Sequence, residues 1–68
     1  MKRLNTGDYI KVRKRFSNEI IIVEVLYVFY RNNNTIEKIL TEDNFDSGTF
    51  PEDVIEYYTK EEYPEYFL

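Results

Sequence analysis

Three pairs of adjacent carboxylates come nearest to chemistry in this sequence: Glu42 with Asp43, Glu52 with Asp53, and Glu61 with Glu62. General acid–base catalysis would need two such groups facing one reacting atom. Neighbours on a strand point to opposite faces, so the pairs read as solvated charge. The chain has no histidine and no cysteine. That removes the commonest general base, the thiolate nucleophile and the usual zinc ligands. Ser17 and Ser47 lie in turn-like stretches with no base to activate them. "DNFDSG" at 43–48 opens like a calcium loop, but Phe45 and Ser47 occupy ligand positions, and Val54 stands where the bidentate Glu belongs. Two glycines in all leave no room for a phosphate-cradling loop. We expect no enzyme, no catalytic residue, no metal site and no cofactor.

Binding is better served. Residues 1–34 carry a charge of +4 and residues 35–68 a charge of −8, which gives the overall −4. In the basic half, Tyr9, Lys11, Arg13 and Arg15 alternate along one stretch, with Lys2 and Arg3 upstream. Cations at that spacing would meet phosphates, and the ring could stack on a base. The same cations would also suit a soluble edge strand. In the acidic half, Glu56, Tyr57, Tyr58, Glu61, Glu62, Tyr63, Glu65 and Tyr66 crowd together. Rings anchor protein interfaces and acids steer encounter with a basic surface. The end of that stretch, "EEYPEYFL", either folds back onto the domain or engages a partner.

The elements that must position these groups are short and β-rich. The 68 residues make one domain, whose core is marginal by size. With no disulfide to help, seven Tyr and five Phe must supply much of the packing. Residues 9–16 alternate as a half-buried strand, with Ile10, Val12, Lys14 and Phe16 on one face. "IIIVEVLYVFY" at 20–30 is apolar on both faces and reads as a long strand that bends. Its inward set is expected to be Ile21, Val23, Val25, Tyr27 and Phe29. "RNNNT" at 31–35 is a hairpin turn and "TIEKILT" the returning strand. "EDNFDSG" is a loop. For "GTFPEDVIEYY" two readings compete. Thr49 and Glu52 fit a capping box that would open a C-terminal helix on an antiparallel sheet. The helical stripe then fails at Glu61, Glu62 and Glu65. A short strand at 49–50, one 3₁₀ turn at 51–54 and a last strand at 55–58 is the preferred alternative. Ile10, Val12, Val23, Val25, Ile39 and Ile55 are the expected core.

Taken in order, "GDYIKV", the long bent strand, the Asn hairpin, "IEKIL" and "GTFPEDVIEYY" resemble an SH3-like small β-barrel of about five strands. Bacterial and phage members of the Tudor/KOW-like class end in a similar "PEDV" stretch. The resemblance spans about residues 6–58 and leaves 59–68 as an acidic aromatic tail. It implies a 3₁₀ turn before the last strand. It does not extend to proline-rich peptide binding: Trp is absent, and Val54 stands three residues after Pro51, where that family has Tyr.

No apolar run approaches the roughly 20 residues of a membrane helix, and "MKRLNTGDYI" lacks the apolar core of a signal peptide. A cytoplasmic protein that does not engage membranes is expected. If the gene is a phage's, that is the host's cytoplasm. The leading expectation is a non-enzymatic protein-binding module, an inhibitor from a phage or mobile element that occupies a basic cleft of a host or defence protein. The alternative is an SH3-like nucleic-acid-binding protein using the first strand. A homodimer is left open.

Overall fold

The computed structural model describes residues 3–32, 35–44 and 47–67. Within them the chain forms four antiparallel strands: β1 (Tyr9–Arg13), β2 (Ile20–Tyr30), β3 (Ile36–Thr41) and β4 (Val54–Tyr58). They lie side by side in the order β3-β2-β1-β4. The sheet is not closed, and no long helix occurs among the described residues. Short 3₁₀ turns at Glu42–Asn44, Pro51–Asp53 and Pro64–Phe67 punctuate the second half. The helical alternative for 51–62 is therefore excluded. Thr49, expected in a strand with Phe50, makes only an isolated bridge to Ile39.

β2 is long because it serves two partners. Ile20 to Glu24 pair with β1, whereas Val25 to Tyr30 pair with β3. Between Val25 and Tyr27 the register slips, leaving Leu26 as a bulge. An extra residue reverses which side chains face inward. Val25 is fully buried, yet Tyr27 is 55% exposed and Phe29 38%. Val28 packs against the core in their place. The expected inward facing of Tyr27 and Phe29 is corrected by this bulge. Strict alternation predicts their facing only for an unbroken strand. The bulge is stabilised from outside: the Leu26 carbonyl accepts a hydrogen bond from the Thr6 hydroxyl at 3.0 Å.

The core gathers Leu4, Ile10, Val12, Val25 and Ile39, with Ile21, Val23, Ile36, Val54 and Tyr57 packed against it. Four of the six expected core residues are fully buried, and Val23 is half-buried. Ile55 is 46% exposed, which corrects its placement in the core. Between Lys11 and Val12 the β1–β4 register skips it, so it sits unpaired on a second bulge. Leu4 was not expected inside. The N-terminal segment is tied down by Tyr30, whose hydroxyl donates to the Leu4 carbonyl at 2.7 Å.

Phe16 also departs from expectation, being fully exposed. β1 stops at Arg13, and residues 14–19 form the loop to β2. The Lys14 amide donates to the Glu19 carbonyl, the Asn18 amide donates to the Lys14 carbonyl, and Asn18 takes a left-handed φ of 59°. The β2–β3 hairpin is closed by the Arg31 amide donating to Thr35. Its Asn33 and Asn34 lie outside the described residues, as do Phe45 and Asp46 of the next loop. Before β4, Pro51 opens the 3₁₀ turn after an extended Phe50 at the cap position, with no side-chain cap bond. The Thr49–Glu52 capping box is therefore not formed.

Core facing is testable. Val25→Ala should cost about 2 kcal/mol in denaturant unfolding, from lost transfer energy and a residual cavity. Ile55→Ala should stay within about 0.5 kcal/mol of wild type, as an exposed substitution does.

Candidate functional site

Pairing across the sheet decides which candidate residues meet. Tyr9 lies between Glu24 of β2 and Tyr58 of β4, and Lys11 between Ile22 and Glu56. Cross-strand partners share a face. Tyr9, Lys11 and Arg13 therefore stand on the same outer face as Glu56 and Tyr58. The basic and acidic stretches, far apart in sequence, form one surface. Tyr57 is on the other face, opposite Ile10, and packs against the core. Burial, and secondarily Tyr30, raises its pKa above the ordinary tyrosine value.

Arg15 belongs to neither group. It lies in the β1–β2 loop, where its Nε donates to Asp53 at 2.7 Å and its guanidinium sits 5.4 Å from the Phe50 ring centre. Lys14 pairs with Asp43 at 3.6 Å. These contacts lie along a groove of about 530 Å³ whose walls include Arg13, Phe16, Phe50 and Thr49. Two of its cations are thus already matched by acids. Lys11 faces Glu56 across the ladder, which offsets its charge. Among the described residues Arg13 makes no ion pair. Lys2 lies outside the described residues, and Arg3 rests on the Tyr30 ring, 4.0 Å from its centre.

The tail folds back over this outer face. Its first turn begins at Thr59, which is 1% exposed. The Thr59 hydroxyl accepts from the Glu62 amide at 3.2 Å and donates to the Glu62 carboxylate at 3.1 Å. The Tyr63 amide donates to the Thr59 carbonyl at 2.8 Å. Threonine followed three residues later by glutamate is a capping signature. Of the two Thr-x-x-Glu spacings in the sequence, Thr49–Glu52 and Thr59–Glu62, this is the one that forms. The turn is anchored to the domain by Asp8, itself 3% exposed. One carboxylate oxygen of Asp8 accepts from the Lys60 amide at 3.1 Å, the other from the Asn5 amide at 2.7 Å.

Anchored in this way, the tail assembles rings. Tyr63 and Tyr66 stack with centres 5.4 Å apart and planes within 4°. Tyr58 meets both edge-on, at 5.3 and 5.8 Å. Phe67 packs on Tyr9 at 5.6 Å, with the Lys60 ammonium 5.7 Å from the Phe67 ring centre. Each aromatic pair contributes about 0.5–1.5 kcal/mol beyond its buried area. Glu56, Glu61, Glu62 and Glu65 are exposed around the cluster. The Tyr63 hydroxyl reaches Glu56 at 3.5 Å. Desolvation first, then the Glu56 and Glu62 charges, the hydrogen bond to Glu56 and Tyr58 raise the Tyr63 pKa. Leu68 lies outside the described residues. Among the described residues, no group of three or more acids could hold a metal ion, and no helix is long and apolar enough to cross a membrane.

Two outcomes follow. Asp8→Ala removes the acceptor shared by the Asn5 and Lys60 amides, two part-buried hydrogen bonds to a charged group, and should cost about 1–3 kcal/mol in all. Hydrogen exchange at Lys60 and Tyr63 should accelerate well beyond exchange at Val25. Tyr63 should titrate later than free tyrosine, and Glu56→Gln should bring it back toward the ordinary value, as read from ring resonances. Because its folded pKa is raised, the stabilisation linked to Tyr63 is complete below the unfolded tyrosine pKa of about 10. It is lost as pH rises through the higher folded value.

No protein-family model, curated protein or solved structure matches this chain, so the geometry of the outer face carries the functional reading.

Proposed function

We propose that the protein is a non-enzymatic binding module whose tyrosine-rich, acidic outer face recognises a basic surface on another protein. The observation that carries this reading is the preformed Tyr58–Tyr63–Tyr66 cluster ringed by glutamates. Rigid rings already in contact lose little conformational entropy on binding, which is what interface anchors need. The carboxylates add long-range attraction for a cationic partner. In this reading the protein is an inhibitor acting in the cytoplasm, one that fills a basic cleft of a host or defence enzyme in the manner of phage and mobile-element proteins. We further read the domain as a reduced SH3-like barrel. Supporting that reading are the strand order β3-β2-β1-β4, the Thr49–Ile39 bridge where a short fourth strand would stand, and the 3₁₀ turn before the last strand.

Nucleic-acid binding through β1 is the competing reading, and Arg13 favours it by having no acid partner among the described residues. Against it, Glu24 and Glu56 flank Tyr9 and Lys11 on the same face. Like charge there repels a phosphate backbone.

Affinity capture from source cells, with and without nuclease, separates the two. The wild type should retain a nuclease-resistant protein that elutes with salt. Tyr63→Ala with Tyr66→Ala should weaken retention about tenfold or more, as loss of central anchors does. Lys11→Glu with Arg13→Glu should leave it in place. Capture of nucleic acid alone, abolished only by the Lys11 and Arg13 changes, would reverse the assignment.

A further inference from the structure

The tail does not seal the outer face completely. Between it and the sheet runs an open trough of about 360 Å³, lined by Tyr9, Ile22, Tyr58, Tyr66 and Phe67. Three strands supply one side through Ile22, Tyr9 and Tyr58, while the tail supplies Tyr66 and Phe67. Ile22 and Tyr66 remain 58% and 64% exposed. A small domain gains nothing in stability from leaving such groups in water. We propose that this trough seats one large apolar side chain of the partner, and that the partner segment carries lysine or arginine on both sides of it. The inference rests on the protein-binding reading and specifies the kind of segment bound.

Three features select this occupant. The walls are apolar or aromatic, and tyrosine hydroxyls are the polar atoms they offer, so the inserted group must be apolar. The trough holds its shape without a ligand, since Phe67 is packed on Tyr9, Tyr66 on Tyr58, and the turn beneath is fixed by Asp8 and Thr59. Acids stand near the trough on the β2 side, where Glu24 is paired with Tyr9, and in the tail, where the exposed Glu65 precedes Tyr66; the cations near it are Lys11, opposite Ile22, and Lys60, over Phe67. Glu56 reinforces the tail side near Tyr63. A second copy of this chain is a poor occupant, because an isologous contact would bring together two faces that each carry Glu24, Glu56 and Glu65. Nucleic acid would bring phosphates past the same acids.

An NMR titration of the intact, isotope-labelled chain tests the proposal with capped Lys-Lys-Leu-Lys-Lys, its Leu→Gly analogue and a short oligothymidylate. The leucine peptide should shift the Ile22, Tyr58 and Tyr66 resonances, and the glycine analogue should bind about fivefold or more weakly. Ile22→Asp should erase the difference between the two peptides, with the rest of the spectrum showing the fold retained. Equal binding of both peptides would overturn the trough while leaving the acidic surface as a binding face. Failure of both peptides, or shifts at these residues with the oligonucleotide alone, would overturn the trough and the protein-binding reading together.

Discussion

One buried carboxylate joins the parts of this molecule that sequence keeps apart. Asp8 stands where the N-terminal segment becomes β1, and its oxygens accept backbone amides from residues 5 and 60. Its own carbonyl accepts from the Val25 amide, and the Gly7 amide donates to Val25 in return. Removing a carboxylate from water is costly unless both oxygens find donors. That requirement makes the site specific, because the donors must come from two ends of the chain at once. Gly7 makes the bend possible with a φ of +94°, a region open to glycine at no steric cost. The Asp8 side chain thus ties the segment before β1 to the first turn of the tail, while its main chain and that of Gly7 tie the same junction to β2 at Val25.

Function follows from what that junction holds. Without it, residues 59–67 would be a short acidic peptide, and peptides of that length do not hold rings in register. With it, Thr59 and Glu62 close a turn, Pro64 starts another, and three tyrosines come into contact above the sheet. The sheet contributes Tyr9, Ile22 and Tyr58, so the surface belongs to tail and domain together. This is also why the charge division in the sequence misleads. Antiparallel pairing of β1 with β4 sets the most basic strand beside one that carries Glu56, so Lys11 and Glu56 stand opposite each other on one face.

The sequence discloses what local rules govern. Alternation in "YIKVR" identified Ile10 and Val12 as core, and the asparagine cluster marked the β2–β3 hairpin. Proline before two acids marked a 3₁₀ turn. What it concealed depends on long-range contact. Nothing around Leu26 signals a bulge, since the bulge is supported by Thr6, twenty residues away, and it reverses the facing of Tyr27 and Phe29. Ile55 was drawn into the expected core by its type, but a second bulge leaves it outside. Leu4 is buried because Tyr30 holds the segment down, a bond with no sequence signature. In the candidate site, Tyr58, Tyr63 and Tyr66 were legible as anchors by their type and clustering. That Tyr57 turns inward follows from its register opposite Ile10, which only the pairing of β1 with β4 defines.

The most direct test of this account is the order of the tail in the free protein, read from ring-to-ring nuclear Overhauser effects and backbone relaxation. The account predicts contacts of Phe67 with Tyr9, and of Tyr58 with Tyr63 and Tyr66. It also predicts backbone order at residues 59–67 comparable to β4 in the absence of any partner. Averaged tyrosine resonances and sub-nanosecond motion beginning at Lys60 would contradict it, for then Asp8 would not be holding the tail and no surface would exist before binding.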